Sequence, residues 1–269
     1  MAVCHFQKSC GLILIKMKKF IVIKREGLFL LLLIMLLSCI SSKTLAMTGD
    51  SILFSDPDIV ILDRTWAYDP KKAVRLSDAF FQKAHSLTGY RCTMRNFYDQ
   101  KSLTPNEWFE LSVRYPTAVR IDLFHPRKGA VLIYRKSTGR VRIKPFSFLG
   151  LQFSLSPRNS LLVSKFGHTI DHADFRSFSL RILKPACMAH ACVYLGKGTW
   201  KGVSVDILNI APDALEAHRQ FGRMLFLVDG KTGFPVMIET ISPAGDFLER
   251  IEYGNCEMNI SYPKGFFKL

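Results

Sequence analysis

Phe226-Leu227-Val228-Asp229-Gly230-Lys231-Thr232-Gly233-Phe234-Pro235-Val236 is two apolar runs joined by a tight turn, and its reading decides the fold. Glycine supplies the positive φ that a chain reversal needs. A second turn, Ser242-Pro243-Ala244-Gly245-Asp246, follows eight residues on. The spacing predicts three strands, Arg223–Val228, Phe234–Ile241 and Phe247–Tyr253, in an antiparallel meander that needs no helical crossover.

The same period of two extends upstream. Phe109, Leu111, Val113 and Tyr115 alternate with Glu110, Ser112 and Arg114. Val119, Ile121 and Leu123 alternate with Arg120 and Asp122, and Val141 and Ile143 with Arg140, Arg142 and Lys144. Leu149, Leu151, Phe153 and Leu155 alternate with Gly150, Gln152 and Ser154. Such alternation marks a sheet wetted on one side. Tyr90 to Tyr98 is the first strand of this series. Ala130 to Arg135 is apolar on both faces, which predicts a helix covering one of them. Val193 to Ile210 reads as a hairpin turning at Gly196-Lys197-Gly198.

Two stretches have helical spacing. Lys71 to Leu87 carries Val74, Phe81 and Ala84 on one stripe, with Leu76 and Phe80 beside it. Asp69 is its N-cap and Pro70 its first residue. Asp171 to Leu183 places Phe175, Phe178 and Ile182 on a stripe, with Asp171 as the cap.

The amino terminus is of another kind. Leu28 to Leu37 is almost wholly Leu, Ile, Phe and Met, preceded by Lys18, Lys19, Lys24 and Arg25. That is the pattern of an export signal, too short for a comfortable membrane span, with Met17 as its natural start. Two processing sites compete. Thr44-Leu45-Ala46 suits cleavage after Ala46, whereas Leu36-Leu37-Ser38-Cys39 suits lipidation of Cys39. The expected organisation is a leader over residues 1–46, a lead-in over 47–70 and one domain over 71–269. Thirty Lys/Arg against 21 Asp/Glu follow residue 46, a net charge of +9. An exported basic surface suits anionic lipid headgroups, and no nucleic-acid motif is present.

Four cysteines fall in the domain: Cys92, Cys187, Cys192 and Cys256. An oxidising compartment permits two disulfides. Cys187–Cys192, across a short loop, is the favoured pair, with buried free thiols the competing reading.

The hairpin motif Asp-x-x-Thr-Gly-x-Pro of Asp229 to Pro235, with the later Tyr253-Gly254-Asn255, resembles the LolA/LolB-like lipoprotein-sorting family. Tyr115 to Asp122, Gly129 to Tyr134 and Gly167 to Asp171 resemble an uncharacterised branch of it. The resemblance runs from about Lys71 to Asn259. It implies an α+β fold: an incomplete antiparallel β-barrel, or half-barrel, with helices closing its concave side. It also implies a carrier or acceptor of lipid or lipidated protein, monomeric, in the periplasm or anchored to the outer membrane through Cys39. An alternative use of the same fold is docking or sensing a protein partner.

A half-barrel that holds acyl chains needs an apolar inner wall. The lining candidates are Phe109, Leu111, Val113, Val119, Ile121, Val141, Ile143, Leu151, Phe153 and Leu155. These residues would equally serve as ordinary core. At about 0.8 kcal/mol per buried methylene, a sixteen-carbon chain contributes roughly 12 kcal/mol gross. A membrane gives it a similar amount, so exchange is feasible. Arg140, Arg142 and Lys144 share a strand face and are the candidates for meeting anionic headgroups, or form a solvated outer face.

No enzymatic activity, metal or cofactor is expected. His168, Asp171 and His172 suit helix-start chemistry better than metal ligation. Cys187 to Cys192 lacks the Cys-x-x-Cys pairing of strong metal sites. Ser160, His168 and Asp171 lack the glycines of a nucleophile elbow.

Overall fold

The computed structural model describes residues 59–61, 69–146, 150–211 and 221–269. Cys39 and Ala46 lie outside them. Among the described residues no helix is long and apolar enough to cross a membrane.

Among the described residues twelve strands form one antiparallel sheet, in the order β1-β8-β9-β10-β11-β12-β2-β3-β4-β5-β6-β7. They are β1 (Ile59–Ile61), β2 (Gly89–Phe97), β3 (Glu107–Arg114), β4 (Ala118–His125), β5 (Val131–Arg135), β6 (Arg140–Lys144), β7 (Phe153–Leu155), β8 (Cys192–Trp200), β9 (Val203–Ile210), β10 (Arg223–Asp229), β11 (Pro235–Ile241) and β12 (Phe247–Met258). Among the described residues the sheet is not closed, because β1 and β7 are its two ends. The fold is α+β, an open half-barrel arrangement with helices packed on one face.

Helix α1 spans Pro70–Ser86, with Asp69 accepting from the Lys72 amide at 2.9 Å. Its buried stripe is Ala73, Ser77, Phe80 and Ala84. The expected Val74 lies off that stripe and is 38% exposed. The second helical stretch begins later than its spacing predicts. A short 3-10 turn occupies Ile170–His172, and α2 starts at Phe175, capped by Asp174 rather than Asp171. Asp174 wins because its carboxylate reaches the amides of both Arg176 and Ser177. Helix α2 (Phe175–Phe178) continues through a π turn, Ser179–Leu183, into α3 (Lys184–Met188). Pro185, just after the turn, has no N–H to donate, and the Lys184 amide bonds five residues back to Ser179.

The register puts Cys92, Met94, Phe109, Leu111, Val113, Val119 and Val141 on the helix face. They join Phe80, Phe175, Leu183, Phe226 and Ile238 in one core. Phe80 meets Phe175, Phe178 and Phe226 edge-on, and Tyr90 stacks on Phe175 at 4.3 Å.

Three further expectations are corrected. The β8–β9 hairpin turns at Lys201-Gly202, and Gly196 instead sits next to a bulge within β8. The seventh strand is short, covering only Phe153–Leu155. The second apolar face of β5 is covered by the chain's last residues, not by a helix. Ile133 packs with Ala118 and Phe267, flanked by Tyr262, Phe266 and Leu269.

The disulfide is also elsewhere. Cys92 and Cys256 are bonded, with Cα atoms 4.2 Å apart, whereas Cys187 and Cys192 are buried thiols. Strand β12 returns to pair with β2, and its irregularity between Gly254 and Glu257 faces Cys92. The Cys192–Cys187 hydrogen bond lowers the pKa of Cys187 and, with burial, raises that of Cys192.

Candidate functional site

The candidate site is the helix-side face of β3 to β7. Cross-strand partners build a row of apolar side chains: Leu111 opposite Ile121, Ile121 opposite Leu132, Leu132 opposite Ile143, and Ile143 opposite Phe153. A parallel row runs Val113, Val119, Tyr134, Val141 and Leu155. In-register neighbours on one face form a continuous surface because strands lie about 4.8 Å apart.

Exposure rises along the first row, from 0% at Leu111 to 51% at Phe153. Of the expected lining residues, Phe109, Leu111, Val113, Val119 and Val141 are buried in the shared core. There they pack within the cluster that includes Phe80, Phe175 and Leu183. Ile121, Ile143 and Leu155 are half-buried. Leu151 and Phe153 are exposed, at 54% and 51%. This face is thus packed as core with the helices at β3 and is more exposed toward β7, and Leu151 lies in the chain just before β7, outside the strands. Leu132 and Tyr134 belong to the face as well. Sequence reading missed them because β5 is apolar on both faces and its alternation gives no direction.

The basic candidates sit on the opposite face. Arg140 donates to the hydroxyl and carbonyl of Ser154, and Arg142 to the side-chain oxygen of Gln152. Both guanidiniums thus hold the short edge strand β7 to β6.

Of the remaining polar candidates, Ser160 is exposed and His168 is engaged in the fold. His168 Nε2 meets Glu249 Oε1 at 2.6 Å. Burial pushes the imidazole pKa down, but the hydrogen bond and charge of Glu249 outweigh it and hold it above the usual value. His172 Nε2 lies 3.6 Å from Asp171, and burial lowers its pKa. Among the described residues no group of three or more His, Cys, Asp or Glu is placed to hold a metal ion. At the helix junction, Asp174 accepts from Tyr115 Oη at 2.8 Å and from Ser177 Oγ at 2.6 Å. Arg176 lies 3.7 Å above the Tyr115 ring and donates to the carbonyls of Ala84, His85 and Leu87 at the end of α1. This junction fixes the helices over the sealed part of the wall.

No protein-family model matches the chain, and no curated protein matches it. Solved structures to which the chain is similar include an outer membrane lipoprotein-sorting protein domain from Vibrio parahaemolyticus, 10% identical over 74% of this chain and 97% of that one, TM-score 0.42. The MucA/MucB complex of Pseudomonas aeruginosa is 13% identical over 74% of this chain and 61% of that one, TM-score 0.43. A LolA superfamily protein from Nitrosomonas europaea is 9% identical over 72% and 97%, TM-score 0.35. The LolA-like family suggested by the hairpin residues is thus represented among them.

Proposed function

We propose that the chain is an exported envelope protein that binds acyl chains of a lipid or lipidated protein on the open end of its apolar wall. The observation carrying this reading is the graded row from Leu111 to Phe153. Hydrocarbon laid along Ile143 and Phe153 would extend a core that already exists, and each methylene removed from water adds about 0.8 kcal/mol. The basic faces would favour approach to an anionic membrane surface. Helices α1 to α3 seal the inner part of the wall, so their displacement would lengthen the surface available to cargo. The leader and either Cys39 lipidation or cleavage after Ala46 would place the protein in the cell envelope.

The test is native mass spectrometry of the full chain purified from a bacterial envelope, beside an Ile143→Glu variant. Lipid retained by the wild type and absent from the variant supports the reading. Lipid-free wild type, or equal retention by both, defeats it.

A further inference from the structure

We propose that a second site, on the sheet face opposite the helices, binds a phosphate-bearing anion. A cavity of about 610 Å³ opens where the β3–β4 and β5–β6 turns meet the chain's last residues. Arg114, Arg135, Lys136, Lys264 and Lys268 line it, and no acidic side chain does.

The five cations come from three separate stretches of sequence, so no local charge run accounts for the cluster. The fold assembles it by laying residues 262–269 across β4 and β5. Phe267 is buried against Ala118 and Ile133, and its carbonyl accepts from Nε and Nη2 of Arg135, at 3.0 and 2.6 Å. Arg114 stacks over the Phe267 ring at 4.7 Å, and its Nε donates to Thr117 Oγ1 at 3.1 Å. These bonds fix both guanidinium planes and leave both Nη groups of Arg114 and Nη1 of Arg135 without a partner among the described residues.

Lys136, Lys264 and Lys268 are exposed, and no carboxylate among the described residues pairs with them. The contrast with Arg120 nearby is informative: Asp122 neutralises it through two contacts of 2.7 Å. Five like charges around one hollow repel one another, and a multivalent anion relieves that repulsion. The pre-fixed Nη pair of Arg114 matches two oxygens of a phosphate, Nη1 of Arg135 adds a single donor, and ammonium groups on flexible stems supply the remaining charge. The cavity volume is that of a small-molecule or headgroup site rather than a groove for a polymer.

The ligand is a phosphate group, carried either by a lipid headgroup or by a soluble compound. The site shares no residue with the apolar wall, so it stands or falls independently of the acyl-chain reading.

The experiment uses the purified full chain and two probes. One is inorganic pyrophosphate, followed by calorimetry. The other is flotation with vesicles of phosphatidylcholine, with and without phosphatidylglycerol. Lys264→Ala/Lys268→Ala removes two charges that no fold contact uses, and Lys101→Ala/Lys197→Ala is the charge-matched control. The double variant at the cavity is expected to weaken binding about tenfold or more, and the control to leave it unchanged. Arg114→Lys, which keeps the charge and loses the fork, should also weaken pyrophosphate binding. Vesicle binding lost with the cavity variant identifies a headgroup; pyrophosphate binding without vesicle binding identifies a soluble phosphate compound. No binding of either probe by the wild type, equal loss in cavity and control variants, or competition by polyglutamate as strong as by pyrophosphate would overturn the proposal.

Discussion

The Tyr115 hydroxyl donates to the Asp174 carboxylate at 2.8 Å, joining the end of β3 to the start of α2 across 59 residues of sequence. Asp174 also caps α2 through the Arg176 and Ser177 amides and is only 9% exposed. Asp174→Ala removes the acceptor of four hydrogen bonds, from Tyr115 Oη, the Arg176 and Ser177 amides and Ser177 Oγ. It should destabilise the domain by about 2 kcal/mol. Tyr115→Phe, which removes one donor, should cost about 1 kcal/mol. Urea unfolding of the two variants checks the order.

His168 gives a pH prediction with a definite sign. Glu249 favours the protonated ring, so the folded-state pKa lies above the ordinary 6.5. The stabilisation is complete below pH 6.5 and disappears as pH rises through that higher folded-state value. Glu249→Gln removes the charge and should drop the His168 pKa, since burial then dominates. An NMR titration of the ring proton reads it directly; an unmoved pKa would show that Glu249 is not the cause.

The Cys92–Cys256 bond closes a loop with a sequence separation of 164 residues. A constraint of that length on the unfolded chain is worth about 5 kcal/mol in the chain-entropy account. Replacing both cysteines with Ser should therefore lower stability by several times the effect of an ordinary surface change. The buried Cys187 and Cys192 should resist alkylation until the chain unfolds, which mass spectrometry after iodoacetamide treatment would show.

Gly233 ends the β10–β11 turn at φ +70°, and a Cβ there would lie 2.5 Å from Lys83 Nζ. That ammonium donates to the Thr232 carbonyl, tying α1 to the hairpin. Gly233→Ala strains the backbone and displaces the lysine, so it should cost about 1–2 kcal/mol. Lys83→Met in the same background should recover part of the loss if displacement matters, measured as the shift in thermal midpoint.

Much of the architecture was legible in local pattern. The β3, β4 and β6 alternation placed every apolar candidate on the correct face, because a pleated strand has only two sides. The Asp229 to Gly233 turn was legible because glycine at positive φ is a local requirement. The failures share a cause. Asp171 and Asp174 both precede the helix, and the contacts of Asp174 with Tyr115 and with its own first turn decided between them. Gly196 looks like a turn residue, but it pairs with Ile207 of β9, next to the bulge at Leu195. The disulfide could not be read from spacing, since the loop joining Cys187 to Cys192 is short while Cys92 and Cys256 meet only when β12 returns to β2.

By itself the sequence determined the strand and helix periods, the tight turns and an apolar face along the central strands, since each depends on neighbours a few residues apart. The tertiary structure alone decided how far that face is sealed, which cysteines join, and that Arg114, Arg135, Lys136, Lys264 and Lys268 surround one cavity. Those outcomes depend on where distant segments are brought to rest, and charge or hydrophobicity along the chain carries no information about distance through space.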